Sequence, residues 1–242
     1  MQIDIPALKR LWQQAFGDTE EFIDGFFRTG FSPNRCRCLY DGHRLTAALY
    51  WFDCTCRGEK LAYIYAVATD ESYRGKGLCR QLTQQTHRHL QDQGYAGAIL
   101  VPAQPELFEM YEKLGYRPCC LMDSLTVQAA GNAELTPISP TEYSNARRAF
   151  LPPDAVTTQN GLDFLLTYNG FYEAEGCIFC AAREGDRVYF QEFLGEVQKL
   201  PAVTAALGGK TAKVRLPGAT PFAMYHGFTQ PNPPSYFNLP MD

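Results

Sequence analysis

No run of Lys and Arg stands out in this chain: 22 basic side chains are set against 26 acidic ones, for a formal charge of -4. Nucleic acid is therefore disfavoured as a partner, because a phosphate backbone is held by a concentrated basic surface. Nowhere do about 18 apolar residues follow one another, so no segment reads as a membrane span. The start, Met1-Gln2-Ile3-Asp4-Ile5, has no basic region followed by an apolar stretch, and a soluble, cytoplasmic protein is the expectation. Histidine is scarce as well. His43, His87, His89 and His226 form no ordered nucleophile or metal set, and no Ser-His-Asp or Cys-His hydrolase pattern emerges. His87 and His89, two apart on one expected helix, point in different directions.

A disulfide framework also lacks support. The nine cysteines are odd in number and no export signal accompanies them, so reduced structural thiols are expected. Cys36, Cys38, Cys54 and Cys56 invite a four-thiolate zinc reading. If Asp41-Gly42 and Arg57-Gly58 each turn a hairpin, however, Cys36 and Cys38 pair near Ala47 and Leu45. Cys54 and Cys56 then lie towards the other end of the same strand, and at about 3.3 Å per residue one zinc does not bridge the two pairs. Cys177-Ile178-Phe179-Cys180 has a redox-like spacing but sits in an apolar strand pattern rather than before a helix.

What is present is a core-forming composition. Hydrophobic residues make up 45% of 242 positions and aromatic ones 13%, enough for one large or two small packed domains. Ile5, Leu8, Leu11, Trp12 and Ala15 recur at helical spacing, and a second short helix is expected around Phe22 to Phe27. Cys36 to Tyr40, Leu45 to Cys54 and Leu61 to Thr69 read as an antiparallel meander. Gly75 and Gly77 open a helix bearing Leu78, Leu82, Thr86 and Leu90. A strand at Ala98 to Val101, a helix at Glu106 to Leu114 and one or two strands from Tyr116 to Val127 follow, giving a mixed α/β sheet.

A boundary is expected in Gln128-Ala129-Ala130-Gly131-Asn132, dividing the chain into residues 1–128 and 134–242. In the second part Tyr143 to Phe150 and Leu162 to Tyr168 look helical. Cys177 to Ala182, Arg187 to Phe193 and Ala212 to Leu216 look like strands, with a helix near Val197 to Leu207. This order echoes the first part in shortened form. Phe108-Glu109-Met110-Tyr111 before Gly115-Tyr116 is also answered by Phe222-Ala223-Met224-Tyr225 before Gly227-Phe228. A duplication accounts for both observations, and an unrelated small α+β domain is the alternative.

The most informative segment runs from a strand end through a loop into a helix: Ala66-Val67-Ala68-Thr69-Asp70-Glu71-Ser72-Tyr73-Arg74-Gly75-Lys76-Gly77-Leu78-Cys79-Arg80. Glycines let the backbone approach an anion, and the unpaired amides of a first helical turn donate to phosphate oxygens. Arg74, Lys76 and Arg80 add positive charge. Taken alone, Arg-Gly-Lys-Gly also fits an ordinary surface turn.

With Arg74, Gly77 and Cys79 spaced as they are, the segment resembles the phosphate-binding motif of the GNAT superfamily of acyltransferases: Arg or Gln, two residues, Gly, one residue, Gly or Ala. Cys79 departs from the last small residue but keeps its backbone amide. Leu107 to Tyr116 resembles the family's later helix and the strand that follows it, and the likeness covers roughly residues 1–128. The resemblance implies a GNAT acyl-CoA N-acyltransferase fold followed by a shortened GNAT-like domain that contributes to the acceptor pocket. It further implies acetyl-CoA as co-substrate, with the pantetheine arm along Ala66, Val67 and Ala68. The pyrophosphate would lie over Arg74, Gly75, Lys76, Gly77, Leu78, Cys79 and Arg80. Tyr111 matches the family's general acid, although on its own it also reads as a core aromatic.

The base is less defined, because Leu61 to Thr69 contains no Asp or Glu. Tyr63 and Tyr65 alternate onto one face and read first as packing residues. Resemblance to tandem GNAT proteins makes Asp242, or the terminal carboxylate, the candidate proton acceptor. The expected activity is N-acetylation of a small-molecule or peptide amine. The alternative is a noncatalytic acyl-CoA sensor or interaction module.

Overall fold

The protein is described by a computed structural model for residues 3–158 and 161–238. Its contacts divide it into two compact units. The first comprises the chain up to Arg117 with Thr158–Phe164 and Met224–Pro233; the second comprises Pro118–Thr157, Leu165–Ala223 and the segment from Pro234. Each has its own sheet and hydrophobic core.

The first unit opens with α1 (Ile5–Phe16) and α2 (Glu20–Thr29). Asp4 accepts from the Ala7 amide and Thr19 from the Phe22 amide, so each helix begins at a short polar side chain that satisfies an orphan donor. The expected meander follows as β1 (Cys36–Asp41), β2 (Arg44–Cys56) and β3 (Glu59–Thr69), then the crossover helix α3 (Leu78–Asp92) and the parallel strand β4 (Gly97–Leu100).

The continuous apolar run of β2 has a physical reason: both of its faces are covered. Tyr50 and Phe52 join Trp12, Phe26, Tyr65 and Phe164 in an aromatic cluster. Leu49 and Trp51 instead pack in the core that contains Leu82 and Leu90 of α3.

The register of the first hairpin differs from the expected one. Cys36 and Cys38 pair with Tyr50 and Ala48, not with Ala47 and Leu45. The turn is centred on Gly42-His43, and a register shift between Leu39 and Tyr40 carries β1 further along β2.

Beyond β4 come α4 (Glu106–Glu112) and the short β5 (Arg117–Cys119). The second unit then has β6 (Met122–Gln128), β7 (Thr136–Pro137) and α5 (Pro140–Arg147). The α5 start is set by a capping box, Ser139 with Glu142 three residues on, just before the buried Tyr143. Two short elements, β8 (Thr157–Thr158) and α6 (Leu162–Leu166), lie where the chain passes between units. The chain continues through β9 (Gly170–Ala174), β10 (Cys177–Glu184), β11 (Arg187–Gly195), α7 (Leu200–Ala206), β12 (Thr211–Pro217) and β13 (Ala223–Gly227).

Sheet partners depart from a division at residue 128. β6 pairs with β12 in the second sheet, whereas Met224 to Gly227 of β13 pair with β4 in the first. Within the first unit the strands run β1-β2-β3-β4-β13, and the second sheet runs β7-β9-β10-β11-β12-β6. In each, an antiparallel meander leads through a helix into a parallel strand that is flanked by an antiparallel one. The echo between residues 108–116 and 222–228 does not share fold context: Tyr111 lies on helix α4 and Tyr225 on strand β13.

Candidate active site

The loop from β3 to α3 is shaped by Asp70. Its carboxylate accepts from the Ser72 amide at 3.0 Å, the Ser72 hydroxyl at 2.7 Å and Arg44 Nη2 at 2.9 Å. These contacts, the Ser72 bonds foremost, hold the Asp70 carboxyl below its ordinary range. The chain then turns through Gly75 and Gly77 at φ +75° and +77°, where L side chains are strained and where an added Cβ meets nothing within 4 Å. Gly77 caps α3 without a side-chain bond, and the first backbone bond into the helix is Gln81 N to Gly77 O. The amides of Gly75 to Arg80 thus have no acceptor among the described residues. The first turn of α3 carries no acidic residue, and Arg74, Lys76 and Arg80 are exposed around it. Open space, free donors and the positive end of a 15-residue helix make an anion cradle.

The cradle continues into a splayed strand edge. The β3–β4 ladder ends at Tyr63 opposite Ile99, but β3 runs on to Thr69. Ala66, Val67 and Ala68 therefore have no strand partner on the β4 side among the described residues. On the β2 side the register shifts between Ala48 and Tyr50, and Ala66 takes φ +47°. This is a bulge formed without glycine, with an αL cost of roughly 1–2 kcal/mol. Strain of this kind gathers at functional sites.

Tyr111 of α4 is 7% exposed and belongs to the core cluster against which the half-buried Val67, Leu78, Leu107 and Met110 pack. Its hydroxyl makes no hydrogen bond among the described residues. Burial holds the phenol well above its ordinary pKa, and Cys79, in the first turn of α3, is near enough to push it further. The Cys79 thiol is itself raised by burial, and the neighbouring Leu78 packs on the core cluster that holds Tyr111.

Behind Tyr111 lies a polar group not singled out from sequence. The Tyr116 ring is 5.7 Å from that of Tyr111, and its hydroxyl is 2.8 Å from His87 Nε2. His87 in turn stacks on His226 of β13 at 4.7 Å. The His226 ring occupies the space that a Cβ at Gly115 would need, 2.5 Å away, while Gly115 has φ +91°. Position 115 therefore demands glycine twice over. The only local signal in the sequence was that glycine; the pairing of β13 with β4 is what brings His226 there.

Tyr63 and Tyr65 lie buried in aromatic packing with Phe52. Asp242 falls outside the described residues. In the second unit, β11 has a comparable register shift, with Cys180 opposite Glu192 and Ala181 opposite Phe190. Arg215 of β12 donates to the intervening Gln191 at 3.2 Å. The next helix, α7, starts with Lys199 as cap and a proline in its first turn, with no glycine pair. Beside this bulge Glu192, fully buried, accepts from Arg147 Nε at 2.6 Å, Arg147 Nη2 at 2.8 Å, Tyr143 at 2.8 Å and Tyr236 at 3.1 Å. Cys177 and Cys180, three apart on β10, face opposite sides of that strand. Among the described residues no group of three or more His, Cys, Asp or Glu side chains is placed to hold a metal. No helix among them is long and apolar enough to cross a membrane.

Residues 2–119 match the family described as acetyltransferase (GNAT) domain. No curated protein matches the sequence. Among solved structures, the chain is similar to a GCN5-related N-acetyltransferase from Kribbella flavida at 15% identity and a TM-score of 0.70, covering 95% of this chain and 70% of that one. A GCN5-related N-acetyltransferase from Anabaena variabilis is similar at 16% identity and a TM-score of 0.68, covering 93% and 70%. A putative acetyltransferase from Pyrococcus horikoshii is similar at 10% identity and a TM-score of 0.66, covering 98% and 89%. At such identities the likeness speaks to the fold, and the family match covers the segment that carries the cradle, the splayed strand and Tyr111. Residues 2–119 are thus a GNAT acetyltransferase domain, an acyltransferase unit of mixed α/β fold.

Proposed function

We propose that the first unit transfers an acetyl group from acetyl-CoA to an amine of a small molecule or peptide. One observation carries this reading: a row of amides from Gly75 to Arg80, without acceptors among the described residues, adjoins the strand edge at Ala66–Ala68, and Val67 and Leu78 pack on the core cluster that holds Tyr111. Acetyl-CoA supplies an activated thioester. The amides and the side chains of Arg74, Lys76 and Arg80 hold its pyrophosphate, since anions are stabilised by helix N-termini and by cationic donors. The free edge of Ala66, Val67 and Ala68 pairs with the amide groups of the pantetheine arm, as an additional strand would.

Tyr111 protonates the departing thiolate. Its burial favours the neutral phenol at physiological pH, and that is the form able to donate. Asp242, through its side chain or the terminal carboxylate, is offered as acceptor of the amine proton, and unchanged turnover with the last few residues removed would take it out of the scheme. The second unit is read as a degenerate GNAT-like copy. It repeats the succession of meander, bulge, helix and parallel strand, while Pro201 and the missing glycine pair leave α7 without a cradle.

The deciding experiment is thiol release from acetyl-CoA against a broad amine panel, alongside Arg74→Ala and Tyr111→Phe. The expected result is amine-dependent release in the wild type. Arg74→Ala should weaken coenzyme binding. In Tyr111→Phe binding should be retained, with turnover reduced by about 10²–10⁴, the usual range for a lost general acid. Tight binding of acetyl-CoA with no amine-dependent release would identify a sensor instead.

A further inference from the structure

Cys36 and Cys38 stand two residues apart on β1, the edge strand of the first sheet, and so share one face. Their sulfurs are 3.7 Å apart, within hydrogen-bond distance for two thiols. Both line a cavity of about 600 Å³ together with Ile3, Ile5, Arg37 and Tyr40, which gives a small reagent a way in. Cys36 is buried and Cys38 half-buried, so Cys38 is the sulfur that meets an incoming molecule. The hydrogen bond between them pushes the Cys36 thiol up and the Cys38 thiol down, and Arg37 lowers both. The more accessible sulfur is thereby the better thiolate.

We propose that Cys36 and Cys38 form a dithiol oxidation site that closes to an intramolecular disulfide by exchange with a low-molecular-weight disulfide. The Cys38 thiolate attacks one sulfur of the reagent, forming a mixed disulfide and expelling one thiolate. Cys36, after giving up its proton, attacks Cys38 Sγ and expels the second. The protein dithiol loses two electrons and two protons, and the reagent leaves as two thiols. Two strand residues at about 3.3 Å each separate the Cα atoms by roughly 6.6 Å, near the upper end of the disulfide range. Side chains standing parallel on one strand hold their Cβ atoms farther apart than the roughly 3.8 Å a disulfide spans, so closure buckles β1 locally at this sheet edge, and the strained bond is readily reducible.

The test uses the full chain. It is incubated with oxidised glutathione, alkylated with iodoacetamide and digested with trypsin, which cleaves after Arg35, Arg37 and Arg44. The expected product is the dipeptide Cys36-Arg37 disulfide-linked to the peptide Cys38–Arg44. Titration in denaturant should find two fewer thiols than the nine of the untreated chain, and dithiothreitol should restore them. Cys36→Ser is expected to stop at a mixed glutathione disulfide on Cys38, whereas Cys38→Ser abolishes capture. Alkylation of both cysteines after oxidant treatment, or linkage of either to a different cysteine, overturns the proposal. If a serine variant does not fold, the wild-type peptide map decides.

Discussion

Acidification from pH 7 to pH 5 should destabilise the first unit through His87. The ring is 7% exposed, bonded to Tyr116 and stacked on His226, and burial pushes its pKa down to about 3 from 6.5, with the His226 charge acting in the same direction. Because the folded value is depressed, the neutral ring is fully favourable above pH 6.5, and stability is lost as pH falls from there towards 3. At pH 5 the unfolded chain is almost wholly protonated at this position and the folded chain almost wholly neutral. A gap of about 1.5 units at about 1.4 kcal/mol each costs the fold about 2 kcal/mol relative to pH 7. Trp12 and Trp51, the only two tryptophans, both lie in the first unit, so urea unfolding followed by fluorescence reports on it. His87→Gln removes the titration while keeping a side chain able to bond Tyr116. The stability difference between wild type and variant should narrow by about 2 kcal/mol from pH 7 to pH 5. A difference that stays constant across this interval would refute the reasoning, since His226 titrates in both proteins.

Removing the carboxylate in Glu192→Ala strands a buried Arg147. It should cost about 3–5 kcal/mol in urea unfolding followed by circular dichroism, most of it recovered when Arg147→Met and Glu192→Leu are combined; no loss from the single change would show that the pair is dispensable. Gly77→Ala meets no steric obstacle but forces alanine to φ +77°, a cost of about 1–2 kcal/mol. The free turn escapes that cost by leaving the left-handed region and binding must restore it, so calorimetry should find acetyl-CoA bound about 5–30-fold more weakly, and unaltered affinity would mean that the cradle does not hold the coenzyme. Ala66→Gly removes αL strain at the bulge and should raise stability by up to about 1 kcal/mol, seen as a higher Tm; a lower Tm would locate the strain elsewhere.

The meander, α3 and the cradle were legible because their signals are local. Apolar runs are separated by turn residues, Gly75 and Gly77 mark a left-handed turn, and Leu82, Thr86 and Leu90 repeat at helical spacing. The helix that carries Tyr111 was legible through its place before Gly115-Tyr116. The Ala66 bulge was not, because alanine gives no sign of a positive φ that glycine normally announces. The register of β1 escaped for a similar reason: Thr46, an extra residue on β2 opposite the Leu39–Tyr40 step, moves every pair beyond it. Tyr116, His87 and His226 come together only through pairing of distant strands, which no window of neighbouring residues reports. The string at 222–228 resembled that at 108–116 in letters, yet its neighbours placed it in a ladder beside β4 rather than on a helix.

The position of β13 has a consequence for how this protein is made. The strand that completes the first sheet beside β4 is joined to it by roughly 120 residues of intervening chain, a closure that carries an entropic cost and slows folding. A nascent chain leaving the ribosome would emerge with the Gly75–Gly77 turn formed but β4 unpaired on that side, and would wait until residue 227 has been made before the gap next to β4 is filled. A fragment trimmed to the family-matching segment should consequently expose an open apolar margin and aggregate, whereas a circularly permuted chain with residues 224–233 moved upstream of α1 would carry all but one short piece of its first unit at the outset.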